Sequence, residues 1–208
     1  RLADMPTATS PMRLRASKGV GYTNYPDHVV QFGVRQAAQT CVDVFRVGDS
    51  LDWVENMRGA MDAVIEADRV CEGTIGYTGD ILNPDRAKYD LKYYVSMAKE
   101  LEAAGAHVLG LKDMAGLLKP AAAKALIGAL KQEIGLPIHF HTHDTSGISG
   151  ATVLAAAEAG VDAVDAAMDA FAGGTSQPAL GSIVEALAHT ERDTGLDIAE
   201  IRKISSSW

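Results

Sequence analysis

The feature that most constrains this chain is a repeat, in which a short run of β-branched and apolar residues is followed by a longer stretch with helical periodicity. The runs are Val42-Asp43-Val44-Phe45-Arg46-Val47, Thr74-Ile75-Gly76-Tyr77, His107-Val108-Leu109-Gly110-Leu111, Ile138 to His143, and Val161-Asp162-Ala163-Val164-Asp165-Ala166. Their starts lie roughly 25 to 35 residues apart, the length of one strand, one helix and two short connections. Over 51–67, Leu51, Val54, Met57, Met61 and Ile65 recur at three- and four-residue steps, with Ser50 as the expected N-cap. Segments 88–104 and 121–134 behave similarly, the second preceded by Pro120 at a first helical position. Serial βα units produce a parallel sheet, which either closes into a barrel or lies open and doubly wound. No Gly-rich fingerprint of a dinucleotide-binding first turn is found, which favours an α/β barrel of the TIM type. In either arrangement the functional residues belong at the C-terminal ends of the strands.

Bulk properties exclude several partners. A net charge of −8, with no basic run interleaved with aromatics, argues against nucleic acid. No apolar run approaches about twenty residues, and the start Arg1-Leu2-Ala3-Asp4 lacks the basic-then-apolar order of a signal peptide. No membrane association is expected, and a cytoplasmic or organelle-matrix location follows. The 208 residues suit one domain, or one incomplete larger domain, over 1–208. Cys41 and Cys71 are too few and too far apart for a disulfide framework or a cysteine-based zinc site, and are expected to be buried free thiols.

Read in order, the strand ends carry Arg15, Asp49, Tyr77 with Asp80, Lys112 with Asp113, His141 with His143, and Asp169. In His139-Phe140-His141-Thr142-His143-Asp144-Thr145-Ser146-Gly147, alternation puts the histidine rings on one face of a strand, a plausible half of a divalent-metal site. Gly110-Leu111-Lys112-Asp113 places an ammonium at the end of a strand that should be almost wholly buried. A buried lysine loses its proton more easily, and the neutral amine can react, including with carbon dioxide to give an anionic carbamate. A plain salt bridge from Lys112 to a neighbour such as Asp113 is the competing reading. Asp49, Asp80 and Asp169 are as suited to capping the following helices as to chemistry, and Arg15 to a surface ion pair.

Several of these stretches form long motifs in order: Gly21-Tyr22-Thr23-Asn24-Tyr25-Pro26-Asp27, Val44-Phe45-Arg46, Asp49-Ser50-Leu51, Tyr77-Thr78-Gly79-Asp80, Leu111 to Pro120, His139 to Gly147, and Thr175-Ser176-Gln177-Pro178. Together they closely resemble the carboxyltransferase domain of the pyruvate carboxylase family, and the related transcarboxylase and oxaloacetate decarboxylase subunits. The resemblance implies a TIM-type barrel in which carboxybiotin, carried on a separate domain, gives carbon dioxide to the enolate of pyruvate and forms oxaloacetate. By motif, Lys112 matches the family's carbamylated lysine ligand, and His141 and His143 match its two histidine ligands. The implied cation, zinc or manganese, would act as a Lewis acid near the pyruvate oxygens. Arg15 matches the arginine that holds the substrate carboxylate, and Tyr22 a tyrosine placed near the biotin ureido group.

The departures carry their own expectations. The family's barrel opens with an Asp-Ala-His-Gln-Ser type motif that supplies a further metal ligand and a contact to pyruvate, and this sequence contains none. The chain is therefore expected to start at the third strand, to hold about six of eight βα units, and to stop before the region that supplies the catalytic threonine. A complete cycle is not expected of it alone. Thr7-Ala8-Thr9-Ser10-Pro11-Met12-Arg13 suits an exposed edge protected by proline and charge. The usual Leu-Arg-Gly-Ala-Asn reads Leu14-Arg15-Ala16-Ser17-Lys18, Gly48 stands for an aromatic and Gly76 for a cysteine. Gly33, Gly59 and Gly128 interrupt helical patterns, each at roughly 0.5–1 kcal/mol relative to alanine. These departures suggest an engineered or trimmed barrel fragment. Its rival functions are a non-catalytic scaffold that self-associates through open barrel edges into a homo-oligomer, and a metal-dependent lyase of the aldolase-like barrels.

Overall fold

The computed structural model describes residues 9–208. The readings placed on Arg1 to Asp4, and on Thr7 and Ala8, lie outside them. Among the described residues the order is β1 (Pro11–Leu14), α1 (Asp27–Gln39), β2 (Val44–Val47), α2 (Val54–Glu66), β3 (Val70–Gly76), α3 (Leu91–Ala103), β4 (Val108–Asp113), α4 (Pro120–Glu133), β5 (Ile138–Thr142), α5 (Ser149–Glu158), β6 (Ala163–Val164), α6 (Leu180–Leu187) and α7 (Ile198–Ser205). The strands are ordered in the sheet as in the chain, and the pairings β1–β2, β2–β3 and β5–β6 are parallel. Six strands, each followed by a helix, make this an incomplete (β/α) barrel of the TIM type, as the repeat required. The chain divides into two compact units, one of residues up to Gly76 with 96–110 and 134–137, the other of 77–95, 111–133 and 138–208.

In the first unit, β1 pairs with β2 in the register Pro11↔Val44 to Leu14↔Val47 and stands at one end of the strand order. Pro11 and Arg13 are exposed and Leu14 is buried, the pattern of a guarded edge. The buried stripe of α2 is Val54, Met57, Ala60, Met61, Ala63 and Val64, so Val54, Met57 and Met61 are buried as expected. Leu51 is exposed because the helix begins only at Val54, and Ile65, within the helix, falls beside the buried stripe and is exposed as well. Ser50 is not its cap either: Asp49 Oδ1 accepts from the Leu51 amide at 2.8 Å and the Trp53 amide at 3.3 Å, holding a turn ahead of the helix. Arg46 and Glu72 form a buried ion pair, Nε to Oε1 at 2.8 Å. Gly110 makes room for it, since a Cβ there would stand 2.6 Å from both Glu72 Oε1 and Thr74 Cγ2.

Both cysteines are free thiols, but only Cys71 is buried. Burial, with Asp62 and Glu72 adding to it, pushes its thiol up to about 12. Cys41 is exposed, contrary to expectation, because it lies in the turn between α1 and β2 at φ 87°, where no strand face covers it.

In the second unit α4 starts at Pro120 as expected, where a missing N–H costs nothing. It buries Ala122, Ala123, Leu126, Ile127 and Leu130, and α5 buries Thr152, Val153, Ala155, Ala156 and Ala157. The alanines allow close helix approach, while each fully buried Leu or Ile contributes about 1.5–3 kcal/mol relative to exposure. Thr152 Oγ1 donates to the Leu118 carbonyl at 2.7 Å, tying the start of α5 to the loop before α4. Asp162 fixes the beginning of β5, accepting from the Ile138 amide at 2.7 Å and from Lys131 Nζ at 2.9 Å. The run 161–166 yields only a two-residue β6 because the chain leaves the ladder early: the Ala167 amide donates to the Pro178 carbonyl at 3.0 Å.

Candidate functional site

Strand β5 alternates as its sequence demands, with Ile138, Phe140 and Thr142 buried and His139 and His141 half-covered on the other face. Every ring then meets a specific acceptor. His141 Nδ1 lies 2.6 Å from Asp165 Oδ2, His139 Nε2 lies 2.9 Å from Asp165 Oδ1, and His143 Nδ1 lies 2.6 Å from the Thr175 carbonyl. Of the other ring nitrogens, His141 Nε2 and His143 Nε2 face each other at 3.1 Å. With each Nδ1 facing an oxygen acceptor, the rings in their neutral form turn both Nε2 lone pairs toward one another, a place where a cation could sit. Two ligands of a tetrahedral zinc, each about 2.05 Å from the metal, are about 3.3 Å apart. The observed 3.1 Å is close to that spacing, and each ring has an oxygen partner behind it, as a histidine that could hold a metal would need.

Lys112 is buried at the end of β4, with 8% exposure. Its neighbour Asp113 is engaged with backbone amides and a hydroxyl. The Asp113 carboxylate accepts from the Leu117 and Leu118 amides at 2.8 and 3.0 Å and from Thr142 Oγ1 at 3.0 Å. Asp113 and Thr142 therefore share the helix-covered face of their strands, and alternation turns Lys112 and His141 to the opposite one. The loop after β4 is pressed against the histidine segment: Ser146 Oγ donates to the Gly116 carbonyl and Ser149 Oγ to the His143 carbonyl, each at 2.6 Å.

Arg15 and Tyr22 come together in the first unit. The guanidinium carbon lies 4.3 Å from the Tyr22 ring centroid, and Nη1 donates to the Gly21 carbonyl at 3.2 Å. Tyr22 itself is 83% exposed. The remaining strand-end residues hold structure. Asp49 supports the turn before α2, and Asp169 Oδ1 accepts from the Gly181 amide in the first turn of α6 at 2.7 Å. Asp80 pairs with Lys119 Nζ at 2.5 Å, and that bond, with the Leu82 amide, holds its carboxyl below the usual range. Tyr77 is buried and stacks on Tyr94 at 5.3 Å, and burial raises its hydroxyl.

Two partners escaped the sequence reading, Asp165 and the Thr175 carbonyl, and His139 was read only as one of the aligned rings. His139 sits two positions before His141 and so shares its face; Asp165 was legible only as an acidic residue at the end of the next run. Nothing in the sequence marks a backbone carbonyl 32 residues downstream as a histidine partner.

A parallel (β/α) barrel segment with a paired-histidine centre at its strand ends is the class that fold and site define. A family model described as HMGL-like matches residues 38–207, and the chain belongs to that family. It is 51% identical over 205 residues to pyruvate carboxylase of Bacillus subtilis, covering 99% of this chain and 18% of that protein. Mitochondrial pyruvate carboxylase of Mus musculus is 46% identical over 205 residues, with coverage of 98% and 17%. The chain thus spans less than a fifth of the curated relatives it matches. Among solved structures, the carboxyl transferase domain from Rhizobium etli pyruvate carboxylase with pyruvate and biocytin superposes with a TM-score of 0.97 at 67% identity, covering 98% of this chain and 34% of that one. The same domain with oxamate and biotin gives equal figures. The resemblance read from the motifs is therefore a match to the carboxyltransferase domain of pyruvate carboxylase. Among the described residues no helix is long and apolar enough to cross a membrane.

Proposed function

We propose that residues 1–208 act as a single partial carboxyltransferase barrel domain. In the complete protein its chemistry is transfer of a carboxyl group from carboxybiotin, delivered by a separate biotin carrier domain, to pyruvate, giving oxaloacetate. The observation that carries this reading is the pair of inward-facing Nε2 atoms of His141 and His143, 3.1 Å apart, at the strand end where such barrels place chemistry. Their partners fit a divalent cation, zinc or manganese, held by His141, His143 and Lys112. When bound, that cation supplies Lewis-acid stabilisation of the negative charge that develops on the pyruvate oxygen.

This chain's own residues do the rest. Lys112, buried at the end of β4, is the amine that in its neutral form takes up carbon dioxide as a carbamate and so offers anionic oxygen in place of a repelling ammonium. Arg15 grips the substrate carboxylate: stacking on Tyr22 and one bond to Gly21 fix the guanidinium plane, and the fork has further donors to offer. Tyr22, broadly exposed, meets the biotin ureido group. The setting that accompanies this chemistry is the cytoplasm, with Cys41 and Cys71 as free thiols, and copies associate through β1, which ends the strand order of the described residues.

Oxaloacetate decarboxylation with free biotin tests the reading. The metal-loaded chain should exceed metal-free buffer and lose that excess in His141→Ala; a rate indistinguishable from buffer sinks the enzymatic reading. A scaffold without turnover is the second reading. It is favoured by the observation that among the described residues no three His, Cys, Asp or Glu side chains gather as metal ligands. It requires unfolding that does not respond to metal.

A further inference from the structure

Asp165 is the residue of this site that carboxyl transfer leaves without a role. It follows β6 directly, and its amide donates to the Phe140 carbonyl at 3.0 Å, which fixes its backbone beside β5. Its carboxylate is shared between two rings, Oδ1 with His139 Nε2 at 2.9 Å and Oδ2 with His141 Nδ1 at 2.6 Å. An ionised carboxylate only accepts, so both facing nitrogens carry N–H. In a neutral His141 this puts the ring proton on Nδ1 and leaves the lone pair on Nε2, the atom that faces His143 Nε2 at 3.1 Å. Left to itself, a neutral imidazole populates both tautomers and its ring can turn.

We infer that Asp165 is a positioning residue: it holds His141 in the Nδ1–H tautomer and in the ring orientation a nitrogen ligand needs, while His139 anchors the other oxygen of the same carboxylate. A single Asp–His bond would let the carboxylate rotate about its own bond. A carboxylate pinned at both oxygens cannot, and both histidines rise from one face of β5 to pin it. The side chains of His139 and His141 are each 16% exposed and that of Asp165 29%, so water competes only partly for these bonds. His143 is held in the same tautomer by a carbonyl instead, which also only accepts. The two rings thus present matched Nε2 lone pairs through different partners. The inference rests on the reading of His141 and His143 as metal ligands, but its tautomer claim can be read without metal.

The test uses the full chain and two readouts. Long-range proton–nitrogen NMR of the imidazoles, metal-free and at about pH 8, well above the ordinary histidine range, should give His141 protonated on Nδ1 in the parent. Asp165→Leu removes the acceptor while keeping the branched outline, and should yield the Nε2–H form or a mixture. Asp165→Asn keeps the shape, can accept from only one of the two rings, and serves where the leucine variant fails to fold. Asp165→Glu should restore the parent tautomer at least in part. In the second readout, cobalt(II) affinity by chelator competition should fall about 10–100-fold in Asp165→Leu and Asp165→Asn, the range for loss of an outer partner of a histidine ligand. An Nε2–H His141 in the parent, or an unchanged tautomer with unchanged cobalt affinity in the variants, overturns the inference. A parent that binds no cobalt but shows the Nδ1–H tautomer, lost in the variants, overturns the metal reading and leaves the positioning role standing.

Discussion

Replacing Gly116 by alanine strikes the joint between the loop after β4 and the histidine segment, and the cost can be worked from the contacts. The residue sits at φ +65°, a left-handed backbone that costs an L side chain about 1–2 kcal/mol. The added Cβ would stand 2.5 Å from the His143 carbonyl oxygen, 2.8 Å from Ser146 Oγ and 3.2 Å from Ser149 Oγ. The first of these is backbone and is itself held by Ser149 Oγ at 2.6 Å, so it cannot give way as the tip of a flexible side chain would. Relieving such overpacking costs about 1–3 kcal/mol. A loss of about 2–5 kcal/mol is expected in all, which for a chain of this size lowers Tm by about 4–20 °C. Urea unfolding followed by circular dichroism should show a lower midpoint with an unchanged slope. A Gly116→Ala midpoint equal to the parent's refutes the claim that this glycine lets the loop lie against His143.

The helical glycines should behave in the opposite sense. A Cβ at Gly33, Gly59 or Gly128 meets nothing within 4 Å, so each change to alanine should raise stability by about 0.5–1 kcal/mol in the same urea assay; a loss at all three would contradict the helical placement. Thiol labelling at neutral pH should modify Cys41 alone, because Cys71 is buried with its thiol pushed up to about 12; equal rates in the folded chain would contradict the fold of β3. At Asp162 burial opposes ionisation, but the bonds from Lys131 and the Ile138 amide outweigh it and hold the carboxyl below its usual range. A depressed folded pKa gives stability that is present above the unfolded value of about 4 and is lost as pH falls through the folded value. Asp162→Asn should therefore be less stable than the parent at neutral pH, with the gap closing in acid; a gap that stays constant to about pH 3 would rule the linkage out.

The strand–helix repeat was legible because burial of a parallel sheet forces β-branched runs and because helices between them must show a periodic apolar stripe. What failed was local and has local causes. Ser50 looked like a cap, yet Asp49 took the turn amides and delayed α2 to Val54, which left Leu51 exposed. The last run promised a strand over 161–166, but Asp162 is spent on β5 and Ala167 on Pro178. Of the site, Lys112, His141 and His143 could be picked out because ionisable groups at buried strand ends are costly and so informative. Asp165 and Thr175 could not, since their roles arise only when β6 and the following loop are laid beside β5.

Bound metal in the purified chain, measured together with His141→Ala and His143→Ala, tests the central claim most directly. The facing Nε2 atoms predict one divalent ion per chain in the parent and loss of it in both variants. A parent without metal, or variants that keep it, would contradict the account.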